Sequence, residues 1–478
     1  MIRLIAVAVS AFLSIVSMAA AEEVAPRPPM GWNSWDAYGF TLDEAQYRAN
    51  IAVLKDLKRF GWTYAVVDEG WYMANPFADR LETRQYRLDD YGRLAPVPTR
   101  YPSSADGRGF RSLADWTHAQ GLKFGLHIVR GIPKAAVDAN TPIEGSAFRA
   151  ADAADKAALC GWDDANYGVA DNAAGQAYYD SLIKLYAAWG LDYLKVDCIS
   201  DHPYRATEIR QIAEAIRKAG RPIVLSLSPG PTNLTHADEV ARHAQMWRIS
   251  NDLWDDWTSG HDEPMSEAFP AGLRVEFDNL AAWSRLVRPN AWPDADMLPI
   301  GSLSPHPGWG DARKSRLTAD ESRTLVTLWS IARSPMILGA NLSELDSRTR
   351  ALLTNAKVIA LNQREGAGRP VAGLPKGLEQ ARVWVSTPAG ARRPDTVAVF
   401  NLGEKPLTVK ARWKDLGLHP GRIRARDLWD GDRLPQSAKA SFVVPPHGVG
   451  LYRIDPLNRP APAGAAALSP LRSEPSLR

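Results

Sequence analysis

The feature that most limits how this chain can fold is an alternation repeated between residues 28 and 365. Short apolar runs take turns with amphipathic stretches. Strands are predicted at Ala65-Val66-Val67, Lys123-Phe124-Gly125-Leu126-His127, Tyr193-Leu194-Lys195-Val196, Ile223-Val224-Leu225-Ser226, Met246-Trp247-Arg248 and Met336-Ile337-Leu338. Met30-Gly31-Trp32 and the segment near Ala291-Trp292 are weaker candidates. Helical periodicity fills 43–59, 111–120, 176–189, 205–219, 235–243 and 320–333. Each run is short and mainly apolar, as a strand covered on both faces should be. About eight strand–helix units imply an α/β fold with a parallel sheet that closes into a (β/α)8 TIM barrel. A doubly wound open sheet is the alternative. It fits less well, because no GxGxxG follows the first strand and polar residues end nearly every run.

Those polar ends carry the functional signal. Asp68-Glu69 follows Val67, His127 ends its run, Asp197 follows Val196, Ser228 follows Leu227 and Arg248 follows Trp247. In a barrel all strand ends open on one face, where the site sits. With a side-chain period of 2, Lys195 and Asp197 point the same way. A cation beside a carboxylate keeps it ionised, as a nucleophile must be. Between Trp247 and Trp257, Asp252, Asp255 and Asp256 lie among Trp residues. Partial desolvation there raises a carboxyl pKa, as a general acid requires. Asp255 and Asp256 are read as ordinary helix N-terminal acids. Asp294 and Asp296 sit on a Pro-bearing loop, where they either bond ligand hydroxyls or form a turn.

The chain has 478 residues, enough for a large barrel plus a smaller module. Its net charge of +3 and the lack of a dense basic run argue against nucleic acid. The count of 17 Trp is high, and flat indoles suit the apolar faces of sugars. Residues 1–21 read as a signal peptide: Arg3, an apolar run from Leu4 to Met18, then Ala19-Ala20-Ala21. The expected product is secreted or periplasmic, with no membrane association after signal removal. Cys160 and Cys198 either pair or remain buried thiols. The Cys/His spacing of a zinc site is missing, and neither metal nor cofactor is expected. No sequence feature sets the oligomeric state. From about Ala381 the pattern changes to alternating strands with Gly/Pro/Asp turns, an antiparallel β-sandwich over 375–456. Residues 457–478, rich in Pro, Ala and Ser, read as a disordered tail.

The string Pro28-Pro29-Met30-Gly31-Trp32-Asn33-Ser34-Trp35 resembles the opening signature of glycoside hydrolase family 27, the α-galactosidases. The later motifs follow in the family's order: Val67-Asp68-Glu69-Gly70-Trp71, Gly121-Leu122-Lys123-Phe124-Gly125, Lys195-Val196-Asp197, Trp247-Arg248 with Asp252, Asp294-Ala295-Asp296-Met297-Leu298, and Ser334-Pro335-Met336-Ile337-Leu338-Gly339. The resemblance implies a retaining exo-glycosidase acting on a terminal α-D-galactosyl unit of a carbohydrate substrate. It implies Asp197 as nucleophile and Asp252 as acid/base. It implies that Asp68 and Lys195 bind the 4- and 3-hydroxyls, that Arg248 and Asp296 bind the 2-hydroxyl side, and that Trp35 is the aromatic wall. Trp71 and His127 are expected close by. Three positions depart from the family. Glu69 stands where a second Asp is usual, and its extra methylene crowds the sugar's C5 substituent, which favours β-L-arabinopyranose as the alternative substrate. Cys198-Ile199 replaces the usual Asn/Gly-Cys after the nucleophile. Ser228 is small where some relatives read the 2-substituent.

Overall fold

The computed structural model describes residues 23–455 apart from 79, 164, 260–268 and 304–310. The expected signal peptide and C-terminal tail lie outside the described residues. Among the described residues, no helix is long and apolar enough to cross a membrane. The barrel strands are β1 (Met30–Asn33), β2 (Tyr64–Val67), β3 (Lys123–Val129), β4 (Tyr193–Asp197), β5 (Val224–Leu227), β6 (Met246–Arg248), β7 (Trp292–Asp294) and β8 (Met336–Leu338). They form one parallel sheet in the order β7-β6-β5-β4-β3-β2-β1-β8. A parallel bridge between Leu298 and Leu338 brings the two ends together, so the sheet curls shut. Closure leaves no long unpaired edge. The (β/α)8 expectation is borne out, and both weak strand candidates are real.

The helices fall where the periodicity places them. Glu44–Leu57, Arg111–Ala119, Ala173–Trp189, Ala206–Ala219, Ala237–His243 and Ala319–Ala332 are helical. Two of them start with reciprocal capping boxes, Asp43 with Gln46 and Thr318 with Glu321. Each box satisfies backbone N–H groups that the first turn leaves unpaired. Helices at Glu276–Trp283, Ser347–Leu353 and Ala356–Gln363 went unpredicted. They are one or two turns long, too short for periodicity to reveal.

After β3 the chain leaves the barrel pattern and builds a small antiparallel sheet from Ile132–Pro133, Ala154–Asp155 and Asn166–Val169. Cys160 belongs to this excursion and is disulfide-bonded to Cys198, with a Cα–Cα separation of 6.0 Å. The missing spacer after Asp197 therefore does not prevent pairing. Cys198 reaches its partner with a φ of +61°, a left-handed conformation unusual outside Gly. Arg130 braces the same junction. Its side chain, 1% exposed, pairs with Glu208 at 2.8 Å. It also donates to the carbonyls of Cys198 at 2.7 Å and Leu159 at 2.9 Å. Removing one partner of a buried ion pair strands the other. Arg130→Ala is expected to lower stability by about 3–5 kcal/mol, read as a shift in denaturant midpoint. A loss below about 1 kcal/mol would mean that water replaces the guanidinium.

The C-terminal part is antiparallel. One sheet orders Gly366–Pro370, Ala381–Pro388, Thr396–Asn401, Val449–Asp455 and Arg424–Asp427, and a second pairs Leu407–Arg412 with Lys439–Val444. The two enclose a core around Val383, Val397, Val409, Trp413 and Leu416. The sandwich expectation holds, with three strands the sequence did not announce: Gly366–Pro370, Arg424–Asp427 and Lys439–Val444. Gly366–Pro370 is rich in Gly and ends in Pro, a poor strand composition that an edge position tolerates.

The Trp excess turns out to be mainly a packing device. Trp32, Trp62, Trp71, Trp247, Trp283, Trp292, Trp329, Trp384 and Trp413 are all fully buried. Several spend their indole N–H on a backbone carbonyl, as Trp62 does on Leu353 at 2.9 Å and Trp329 on Asp296 at 2.9 Å. A large buried ring with a satisfied polar atom contributes area without a desolvation penalty.

Candidate active site

One cavity of about 600 Å³ opens at the C-terminal ends of the barrel strands. It is lined by Trp35, Asp68, Glu69, Lys195, Asp197, Arg248, Asp252 and Asp296, every residue singled out from the sequence as a site residue. β2 delivers Asp68 and Glu69, β4 delivers Lys195 and Asp197, β6 ends at Arg248, and the loop after β7 carries Asp296. The sequence separates these residues widely, and the parallel register brings them to one mouth.

Asp197 faces three partners. His127 Nε2 lies 3.8 Å from its Oδ2, Ser228 Oγ donates to Oδ1 at 3.2 Å, and Trp162 Nε1 donates to Oδ2 at 3.2 Å. Burial opposes ionisation of Asp197, but His127 and Lys195 outweigh it and hold the carboxyl well below the usual range. Asp68 is fixed still more tightly. It accepts from Lys195 Nζ at 3.0 Å, from Asn33 Nδ2 at 2.6 Å and from the Glu69 amide at 2.8 Å. Burial again opposes its charge, and His127, Lys195 and Asn33 overcome that and lower its pKa. Burial also disfavours the charged form of His127, yet Asp68, Asp197 and Glu69 raise its pKa above the ordinary value. Trp71 does not line the cavity. It is buried behind it and donates to the carbonyl of His127 at 2.8 Å, which fixes that strand end.

The opposite wall behaves differently. Arg248 pairs with Asp296 at 2.8 Å and with Asp252 at 3.2 Å. Asp296 also accepts from the Leu253 amide at 2.7 Å, which ties the loop after β7 to the loop that presents Asp252. It does so with a φ of +83°, a strained conformation of the kind that functional loops hold. Desolvation raises the Asp252 pKa, and the charges of Asp296 and Asp197 add to it against the pull of Arg248. Two carboxyl groups in one cavity are thus pushed in opposite directions. Asp255 and Asp256 are not helix N-terminal acids. Asp255 is buried and paired with Arg313 at 2.7 Å and Arg316 at 3.3 Å, and Asp256 pairs with Arg316. Asp294 stays behind the wall, where it accepts from the Asp296 amide at 3.1 Å, and burial lifts it to about 7.

Glu69 lines the cavity beside Asp68, and burial pushes its carboxyl up to about 8 against the pull of His127. Near neutral pH it is an uncharged acid, able to donate as well as accept. Sequence reading missed Asp36, Trp162, Trp254 and Met297, which also line the cavity. Asp36 follows Trp35, but its side chain faces Gly339, whose place in the barrel only the fold reveals. A Cβ on Gly339 would lie 1.8 Å from Asp36 Oδ2, so that position admits glycine alone. Trp162 carried one signal, its place two residues after Cys160.

Comparison with known proteins agrees with this geometry. Residues 162–364 match the family model described as alpha galactosidase A, and 379–454 match the alpha galactosidase C-terminal beta sandwich domain. The chain is 26% identical over 466 residues to alpha-galactosidase A of Cellvibrio japonicus, covering 94% of this chain and 97% of that protein. It is 28% identical to the alpha-galactosidase of Coffea arabica, covering 90% and 94%. Among solved structures it is similar to a family 27 β-L-arabinopyranosidase from Geobacillus stearothermophilus. That likeness has 40% identity and a TM-score of 0.83, over 92% of this chain and 98% of the other. The chain belongs to glycoside hydrolase family 27 and is an O-glycosyl hydrolase.

Proposed function

We propose that this hydrolase is a retaining exo-glycosidase that releases terminal α-D-galactosyl units by double displacement. The observation that carries the reading is the opposed pair in one cavity: Asp197, whose carboxyl is held well below the usual range, and Asp252, whose pKa is raised by desolvation and by Asp296 and Asp197. Asp197 attacks the anomeric carbon while Asp252 gives its proton to the leaving oxygen. The sugar is then esterified to Asp197. Asp252, now a base, takes a proton from water, which attacks the same carbon and restores the starting configuration. Asp68, fixed by Lys195, presents acceptor oxygens to two hydroxyls, with Lys195 as donor. Arg248 and Asp296 serve the 2-hydroxyl side, and Trp35 forms the wall. Proton NMR of the first product tests the reading: the α-anomer is expected from an α-galactoside, and the β-anomer as first product would overturn it.

One observation favours a second reading, a β-L-arabinopyranosidase on the same site. Glu69 carries one methylene more than the usual Asp, and the 40% identical relative acts on β-L-arabinopyranosides. Arabinopyranose has galactose-like stereochemistry and no hydroxymethyl group to meet that carboxyl. Glu69→Asp is expected to raise the ratio of kcat/KM for 4-nitrophenyl α-D-galactoside over β-L-arabinopyranoside by about tenfold or more. An unchanged or lower ratio would free Glu69 of that role. We further propose export, with residues 1–21 as a cleaved signal, and a two-part chain of catalytic barrel and C-terminal sandwich.

A further inference from the structure

Trp162 is unusual among the tryptophans of this chain. It is 39% exposed, whereas most of the others are buried. Three contacts hold the ring in place. Its Nε1 donates to Asp197 Oδ2 at 3.2 Å. His202 packs edge-on against its ring at 5.7 Å. The Cys160–Cys198 disulfide ties its loop to the residue that follows Asp197. Arg130 reinforces the last contact by gripping the carbonyls of Leu159 and Cys198 together.

These contacts converge on the orientation of one carboxylate. Ser228 donates to Oδ1 of Asp197 and Trp162 to Oδ2. At 3.8 Å, His127 is an ion-pair partner rather than a hydrogen-bond donor. Donors on both oxygens stop the carboxylate from rotating about its own axis. A nucleophile aligned before substrate arrives reacts faster than one that samples other orientations. We propose that Trp162 is a positioning residue for the nucleophile, and that the Cys160–Cys198 disulfide exists here to deliver it. The inference rests on the hydrolase reading above.

Trp162→Phe removes the N–H and keeps a ring against His202. With a 4-nitrophenyl glycoside, kcat/KM is expected to fall about tenfold, the loss of one hydrogen bond to a charged group. The loss is expected in kcat rather than KM. The acid limb of kcat/KM is expected to move to higher pH, because a donor to the ionised form has gone. The paired change Cys160→Ala/Cys198→Ala frees the loop and is expected to give the same loss. Adding Trp162→Phe to it should then cost little more, since both remove one contact. Losses that multiply in the triple variant, or an unmoved kcat and acid limb in Trp162→Phe, would overturn the proposal. If the cysteine variant does not fold, the Trp162→Phe profile decides alone. Lack of turnover by the wild-type enzyme would instead overturn the hydrolase reading.

Discussion

Asp197→Asn is expected to lower kcat by roughly 10⁴- to 10⁶-fold, the scale of removing a covalent nucleophile. The amide keeps the shape of the carboxylate but has no lone pair of comparable basicity to form the glycosyl ester. Binding should survive. The cavity walls remain, and Ser228 can still donate to the amide oxygen as it does to Oδ1 at 3.2 Å. The contrast is therefore a kcat effect with the sugar still bound, measured by steady-state turnover beside calorimetric titration with galactose and arabinose. Residual turnover within about 100-fold of wild type, after re-sequencing the expressed protein to exclude deamidation, would remove Asp197 from the nucleophile's role. The physical ground is the charge around it. His127 and Lys195 together outweigh burial, which opposes the charge, and hold the Asp197 carboxyl well below the usual range.

Asp252→Asn is expected to act unevenly across substrates. General acid–base catalysis contributes about 10²–10⁴-fold. A sugar leaving group needs a proton as it departs, so the loss on an α-linked oligosaccharide should approach the upper end of that range. The 4-nitrophenolate leaves readily without one, so its first step should be nearly spared. The glycosyl-enzyme then accumulates, because no base activates water, and a burst of nitrophenol should precede slow turnover. Added azide, which needs no general base, should restore the second step. Equal losses on both leaving groups with no burst would show that Asp252 does not carry the proton. The wild-type profile fits the same logic. The folded-state pKa of Asp252 is raised by desolvation and by Asp296 and Asp197, so the acid form that glycosylation needs is lost as pH rises through that value.

Much of this architecture was legible in the sequence because barrel strands are buried on both faces. That burial forces continuous apolar runs, and the end of each run marks the catalytic face. Asp197 and Lys195 could be placed on one side of β4 from the period of a strand alone. The short helices near Glu276 and Ala356 and the Gly-rich strand Gly366–Pro370 were not legible, because too few residues repeat to leave a pattern. Composition misled in one respect. The Trp count pointed to sugar binding, but most of the rings are packed inside the protein, where volume and a satisfied N–H are what matter.

The sequence by itself determined the fold class and the order of the motifs, since these depend on local periodicity and on residue identity. Only the tertiary structure decided the chemistry of each carboxyl. Asp252, Asp255 and Asp256 are near neighbours in sequence, yet Asp255 lies against Arg313 and Arg316 while Asp252 faces the cavity with Asp296 and Asp197. It likewise decided that Cys160 meets Cys198, and so that Trp162 meets Asp197 across 35 residues of chain. Electrostatic energies fall off over a few ångströms, and no local pattern records which distant charges will arrive within that range.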